Sequence, residues 1–162
     1  MWLRKMKSLV VYYSRSGNAQ FVAQTIAAEL GSDVEEVVDL KNRGGIFGFL
    51  SGGFDATRGR ETKIGETKKS PVDYDLVVVG TPVWSSRPTP AIRTYLRKND
   101  FSGLKVALFF AQGGEKPKAV DRTKALIPNG SFVGELVLSN PLDNKAESEK
   151  KIIDWCLTLK WP

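Results

Sequence analysis

Three runs of consecutive apolar residues, Leu9 to Tyr13, Leu76 to Val79 and Val106 to Phe110, constrain this chain more than any other feature. None shows the polar alternation of a strand with one wet face, so each reads as a strand covered on both sides. Val34 to Val38 and Val133 to Leu138 are weaker strand candidates. Between the runs, apolar residues recur every three or four positions, the period of a helix with one buried face. Val22, Ala23, Ile26, Ala27 and Leu30 mark the first such face, closed by Gly31. Ile92 and Leu96 follow Pro88 and Pro90, residues suited to a first turn. Val120, Thr123 and Ile127 suggest a helix begun near Pro117 and ended at Pro128 to Gly130. Ile152, Trp155, Cys156 and Leu159 form the inward stripe of a last helix, with Asn144 or Asp143 as its N-cap. Covered strands alternating with helices define a doubly wound α/β domain with a parallel sheet. Ligands in that architecture bind at the carboxyl edge of the sheet, where the strand order reverses.

Composition narrows the function. A chain of 162 residues with 41% hydrophobic and 26% charged residues fits one domain, 1–162. The apolar runs fall far short of the roughly 18 residues that span a bilayer, and the basic N-terminus MWLRKMK lacks the apolar core of a secretion signal, so a cytoplasmic protein is expected. Cys156 is the single cysteine and reads as a small buried hydrophobe. The chain has no His, which removes His-dependent triads and most zinc sites; no metal site is expected. A net charge of +6 favours anionic partners, but the basic residues are scattered rather than clustered with aromatics, so nucleic acid is not expected. The stretch from about 41 to 70 is Gly-rich yet holds Ile46, Phe47, Phe49, Leu50 and Phe54. It reads as a partly helical insertion folding over the carboxyl edge, or as a surface used for self-association, and the chain as a monomer or homodimer.

Three loops face the carboxyl edge. The first is Ser14 to Ala19, SRSGNA, between the first strand and the first helix. Such a junction leaves backbone N–H groups without intrahelical partners at the positive end of the helix dipole, and a phosphate would satisfy them. Ser14 and Ser16 offer hydroxyls, Gly17 allows close approach, and Asn18 can cap or donate. The competing reading is a turn in which Ser or Asn caps the helix and nothing binds. In the second loop, Gly80 to Pro88, Thr81 and Pro82 fix a turn and Trp84 is either a lid on the core or a platform for a flat ligand. The third, Ala111 to Glu115, carries paired glycines that let backbone approach a ring, or is a plain turn. A phosphate cradle, an aromatic and a glycine turn in one crevice suit a ligand with a phosphate tail and a planar head, such as flavin mononucleotide (FMN).

The segments SLVVYYSRSGNA, DLVVVGTPVW with RPTPAIRTYL, and VALFFAQGG, in this order and with KNRGGIFGFLSGGFDA between the first two, resemble the flavodoxin-like family. The resemblance implies a three-layer fold with a five-stranded parallel sheet in the order 2-1-3-4-5, non-covalent FMN and electron transfer, with no catalytic residue of its own. It implies that Ser14, Arg15, Ser16, Gly17 and Asn18, with Ala19 as the last position of the loop, hold the phosphate. By the same token Thr81, Pro82, Val83, Trp84 and Ser85 would flank the ring on one side and Ala111, Gln112, Gly113 and Gly114 on the other. Ala19 stands where the family often has Thr, residues 112–116 supply no aromatic to stack on the ring, and Ser85 and Ser86 stand where a Gly is frequent. The function expected is an electron carrier between redox partners, acidic ones given the charge, with a two-electron couple less reducing than in acidic flavodoxins. The alternative is an NAD(P)H-dependent FMN oxidoreductase acting on quinones or similar acceptors. The carrier is preferred because neither His nor Tyr occurs in the second or third loop to donate a proton.

Overall fold

The structure is a computed structural model, and the residues it describes are 4–41, 50, 60–112 and 117–160. Strands β1 (Ser8–Tyr12), β2 (Asp33–Glu36), β3 (Leu76–Trp84), β4 (Arg87–Pro88), β5 (Lys105–Gln112) and β6 (Ser131–Ser139) alternate with helices α1 (Asn18–Leu30), α2 (Pro90–Lys98), α3 (Pro117–Lys124) and α4 (Lys145–Leu159). The sheet order is β2-β1-β3-β5-β6, and every pairing along that path is parallel. Only the two-residue β4 stands aside, antiparallel to the end of β3. Without β4 the five parallel strands follow the expected 2-1-3-4-5. The chain leaves β1 to one side for β2 and to the other for β3, so the order reverses at β1.

Alternate residues of a strand point to opposite faces, and the central strands feed two cores accordingly. Leu9, Val11, Val77, Val79, Val106, Leu108 and Phe110 meet Ala91, Ile92, Tyr95 and Leu96 of α2 and Ala119 and Val120 of α3. Val10, Tyr12, Leu76, Val78, Ala107 and Phe109 meet Ala19, Val22, Ala23 and Ile26 of α1 and Ile152 and Cys156 of α4. This is the three-layer arrangement that unbroken apolar strands require.

Several boundaries differ from the sequence reading. β2 ends at Glu36 rather than Val38; Val37 still sends its N–H to the Tyr12 carbonyl at 2.8 Å and is buried, but Val38 turns outward and is half exposed. β2 is a polar edge strand whose Glu35 carboxylate accepts the N–H groups of Lys68 and Lys69. α3 stops at Lys124, and Ile127 belongs to the following turn. β3 does not end at Val79 but continues to Trp84, because Gly80, Thr81 and Pro82 keep their register against Phe109, Phe110 and Ala111 of β5. The N-cap of α4 is Asn144, whose side chain accepts the Glu147 N–H.

Candidate functional site at the carboxyl edge

β1 hands over to α1 through residues 13–17. Gly17 occupies the N-cap position with φ 94° and ψ −13°, a left-handed conformation that costs glycine little, and no side chain caps the helix. The turn is therefore not the capped junction that the competing reading required. Ser14 Oγ accepts the Gly17 N–H at 3.1 Å, and Asn18 Nδ2 donates to Ser16 Oγ at 3.2 Å. Asn18 Oδ1 is turned away from its own helix and accepts the Leu142 N–H at 3.1 Å. The first-turn amides of α1, a helix of 13 residues, thus lack side-chain acceptors and lie at its positive end. Arg15 and Ser16 are exposed beside them, while the Ala19 side chain is fully buried against the sheet and can offer only main chain. The arrangement is suited to holding a dianionic phosphate.

The second loop corrects the sequence reading. Thr81 and Pro82 form no turn; both lie within β3, and Trp84 is the last residue of that strand rather than part of a loop. Pro82 is tolerated there because main-chain groups at this phase face β1, as Gly80 does in accepting the Tyr13 N–H, and β1 has already ended. Thr81 is buried, donates its hydroxyl to the Pro82 carbonyl at 2.7 Å and accepts the Thr89 N–H at 3.1 Å, fastening the strand end to the start of α2. Its side chain thereby positions the hairpin that follows. The turn itself is Ser85–Ser86, with φ 51° and 57°, between the paired residues Trp84 and Arg87. Two left-handed residues in a two-residue connection make a primed hairpin, a conformation that serine adopts only under strain. Arg122 of α3 steadies it by donating to the Ser86 carbonyl at 3.0 Å.

Trp84 is half-buried against the core and meets Tyr13 edge-on, ring centres 5.8 Å apart at 89°. This contact joins the first and second loops directly and covers one end of the core. Val83 and Pro82 are half-buried beside it, Ser85 is exposed, and Ala111 is buried at the end of β5. Gln112 closes that strand; Gly113 and Gly114, and residues 42–49 and 51–59 of the expected insertion, lie outside the described residues. The rest of that stretch packs near α2: Leu40 donates its N–H to the Lys63 carbonyl, and Thr62 and Thr94 exchange hydrogen bonds.

Sequence reasoning missed a fourth loop. After β6, Asn140 (φ 43°) opens a turn that carries Leu142 to Asn18 and places its side chain 3.6 Å from where a Cβ on Gly17 would stand. The Asn140–Pro141 pair was a turn signal, but nothing in it pointed toward Asn18. Sequence reasoning also passed over Arg87, a basic residue on β4 at the foot of the hairpin, and Arg122, which bonds the hairpin from α3. A cavity of about 960 Å³ lies at the other end of the strands, lined by Lys5, Gly31, Asp75 and Lys105 among others. It has no strand-to-helix cradle, so volume and chemistry disagree, and the carboxyl edge remains the better candidate. Among the described residues there is no group of acidic or sulfur ligands able to hold a metal ion, and no helix is long and apolar enough to cross a membrane.

A doubly wound parallel sheet whose strand order reverses beside a glycine-led strand-to-helix turn places the chain among the open α/β folds whose ligands bind at the carboxyl edge. A family model described as Flavodoxin matches residues 55–158, well over half of the sequence, and the chain belongs to the flavodoxin family. Among solved structures it is similar to a flavoprotein of Lactobacillus acidophilus in complex with FMN, with TM-score 0.69 and 23% identity over 87% of this chain and 97% of that one. It is similar as well to a Fusobacterium nucleatum flavodoxin bound to flavin mononucleotide (TM-score 0.61, 14% identity, covering 96% and 98%) and to oxidised Flavodoxin 2 of Bacillus cereus (0.58, 21%, 94% and 96%). No curated protein sequence matches. At these identities the structural likeness speaks for the fold alone.

Proposed function

We propose that this protein binds FMN non-covalently at the carboxyl edge of the sheet and carries electrons between redox partners. The observation that supports this most is the uncapped first turn of α1 behind a left-handed Gly17, set beside the Trp84 end of β3. When bound, FMN would supply one- and two-electron redox chemistry. The main-chain N–H groups at the start of α1, with Ser16 and Arg15, would take the phosphate; Asn18, tied to Leu142, would hold the loop in shape. Pro82 to Ser85 would border the ring on one side, and Ala111 to Gly114 on the other. Thr81 and Arg122 would act at one remove, fixing the strand end and the hairpin. The residues 1–162 would form one domain, working in the cytoplasm with acidic or anionic partners.

A second reading, an NAD(P)H-dependent oxidoreductase for quinones or similar acceptors, draws support from the arginines beside the hairpin, which could receive a charged substrate. Two measurements test these readings. Titrating the protein into FMN should quench the flavin's fluorescence to saturation, and Gly17→Val should weaken binding at least about tenfold, since a β-branched residue resists φ near +94°. An unquenched titration would remove FMN from the account. A carrier should then show no steady oxidation of NAD(P)H by the loaded protein with a quinone present, and sustained turnover would move the function to the second reading.

A further inference from the structure

The cavity of about 960 Å³ at the amino-terminal ends of the strands has no part in the flavin reading. It is built from residues that lead into β1, β3 and β5 and from the carboxyl ends of α1 and α4. Met6, Leu30 and Leu104 give it apolar walls, and four cations, Arg4, Lys5, Lys105 and Lys160, line it against two acids, Glu29 and Asp75. Both acids are already engaged. Asp75 accepts Arg4 on one carboxylate oxygen and the Lys7 N–H on the other at 2.8 Å, and Glu29 accepts Lys160 Nζ at 3.1 Å. Lys5 and Lys105 are left without an ion pair among the described residues, since those at the cavity are Arg4–Asp75 and Lys160–Glu29. For Lys5 the fold supplies a reason. Its Nζ comes 3.2 Å from where a Cβ on Gly31 would stand, at the carbonyl end of α1, where a cation is stabilising. Lys105 has no such duty. It opens β5, half-buried, in register with Leu76 of β3 and Ser131 of β6, and shares its strand phase with Ala107 and Phe109 of the α1–α4 core. An ammonium held at that place lacks an acidic partner, and an anion would supply one.

We propose that this cavity is a second binding site, for a small amphipathic acid whose carboxylate or phosphate group answers Lys105 and whose apolar body lies against Leu30, Leu104 and Met6. The volume falls at the upper end of the range that small-molecule pockets occupy, so a bare inorganic anion would leave most of it unfilled. An uncharged molecule would fill it and leave Lys105 unanswered. Four cations to two acids also draw an anion from solution. The site does not rest on the FMN reading, because it lies at the opposite end of the strands from Gly17 and Trp84.

The test titrates naphthoate and, separately, naphthyl phosphate into the whole chain by calorimetry at constant ionic strength, with and without saturating FMN. Saturable binding of at least one acid is expected in both conditions, and the stronger of the two names the acidic group the site prefers. Naphthylmethanol, the same rings without the charge, should bind at least about tenfold more weakly, and Lys105→Met should weaken the acid by a like factor, the loss of one charge-assisted contact. Lys105→Arg, which keeps the charge, should restore most of the affinity. Lys5→Met, at an exposed position that the fold does not depend on, should weaken the acid in the same direction but less. Lys151→Gln, on the surface of α4, should leave it unchanged. No saturable heat with either acid overturns the proposal, as does naphthylmethanol binding as tightly as the acids, Lys105→Met binding them as before, or loss of their binding once FMN is present. FMN binding is read independently, by fluorescence in the same samples: a chain that fails to take FMN yet binds the acid through Lys105 keeps this site and loses only the flavin.

Discussion

At Gly80 the requirement for glycine comes from a neighbour rather than from the backbone. A Cβ built there would lie 1.8 Å from Cζ of Phe109, a fully packed ring in the α1–α4 core. Gly80→Ala must displace that ring, and a loss of about 1–3 kcal/mol or more is expected in denaturant unfolding. Cys156 makes an opposite case, a residue whose chemistry is switched off by its position. Burial, with the Glu29 carboxylate adding to it, pushes the thiol from 9.0 up to about 12. Native protein at pH 8 should therefore leave a thiol reagent unreacted, while unfolded protein consumes one equivalent. Because the folded pKa is the higher one, the protonated thiol supports the fold fully below about pH 9, and that support is lost as pH rises toward 12. Tyr74, raised to about 12 by burial and by its hydrogen bond to Asp33, erodes stability in the same direction above its ordinary 10.0. Alkaline titration followed by circular dichroism should show stability falling from about pH 9 upward, with Cys156→Val shifting the onset higher.

The hairpin between β3 and β4 is the element where local preference and structure conflict. Replacing Ser85–Ser86 by Asn–Gly, the pair best suited to two positive φ values, should stabilise the protein by about 1 kcal/mol, seen as a higher denaturant midpoint at unchanged slope. This element also shows where sequence reasoning stops. The central strands were legible because Val10, Val78 and Leu108 have no polar neighbours to alternate with, and only a sheet covered on both sides accommodates that. The α1 face and its end at Gly31 were legible for similar reasons of period and φ. Ser85 and Ser86 carried no mark of positive φ, and Thr81–Pro82 looked like a turn because the pattern that matters, pairing with Phe110 and Ala111, lies 29 residues away. The ends of β1, β3 and β5 lie at one edge as expected, but the fastening of the first loop by Leu142 depends on a contact spanning 124 residues, which no local pattern encodes.

At the scale of the molecule, 24 basic against 18 acidic residues give a net charge of +6. Electron exchange with an acidic partner should therefore slow as salt is raised, steeply up to about 0.15 M and weakly beyond, where the screening length falls to about 8 Å. Stopped-flow rates across a salt series would check it, and rates that rose with salt would assign the partner the same sign of charge. The bond from Leu142 to Asn18 has a bearing on how the protein matures. Since the turn between β1 and α1 is tied down by a residue 124 positions further along, a nascent chain halted before Leu142 emerges would hold its first strand and helix yet leave that turn unfastened. Whatever the turn binds would then be gripped fully only once β6 is in place.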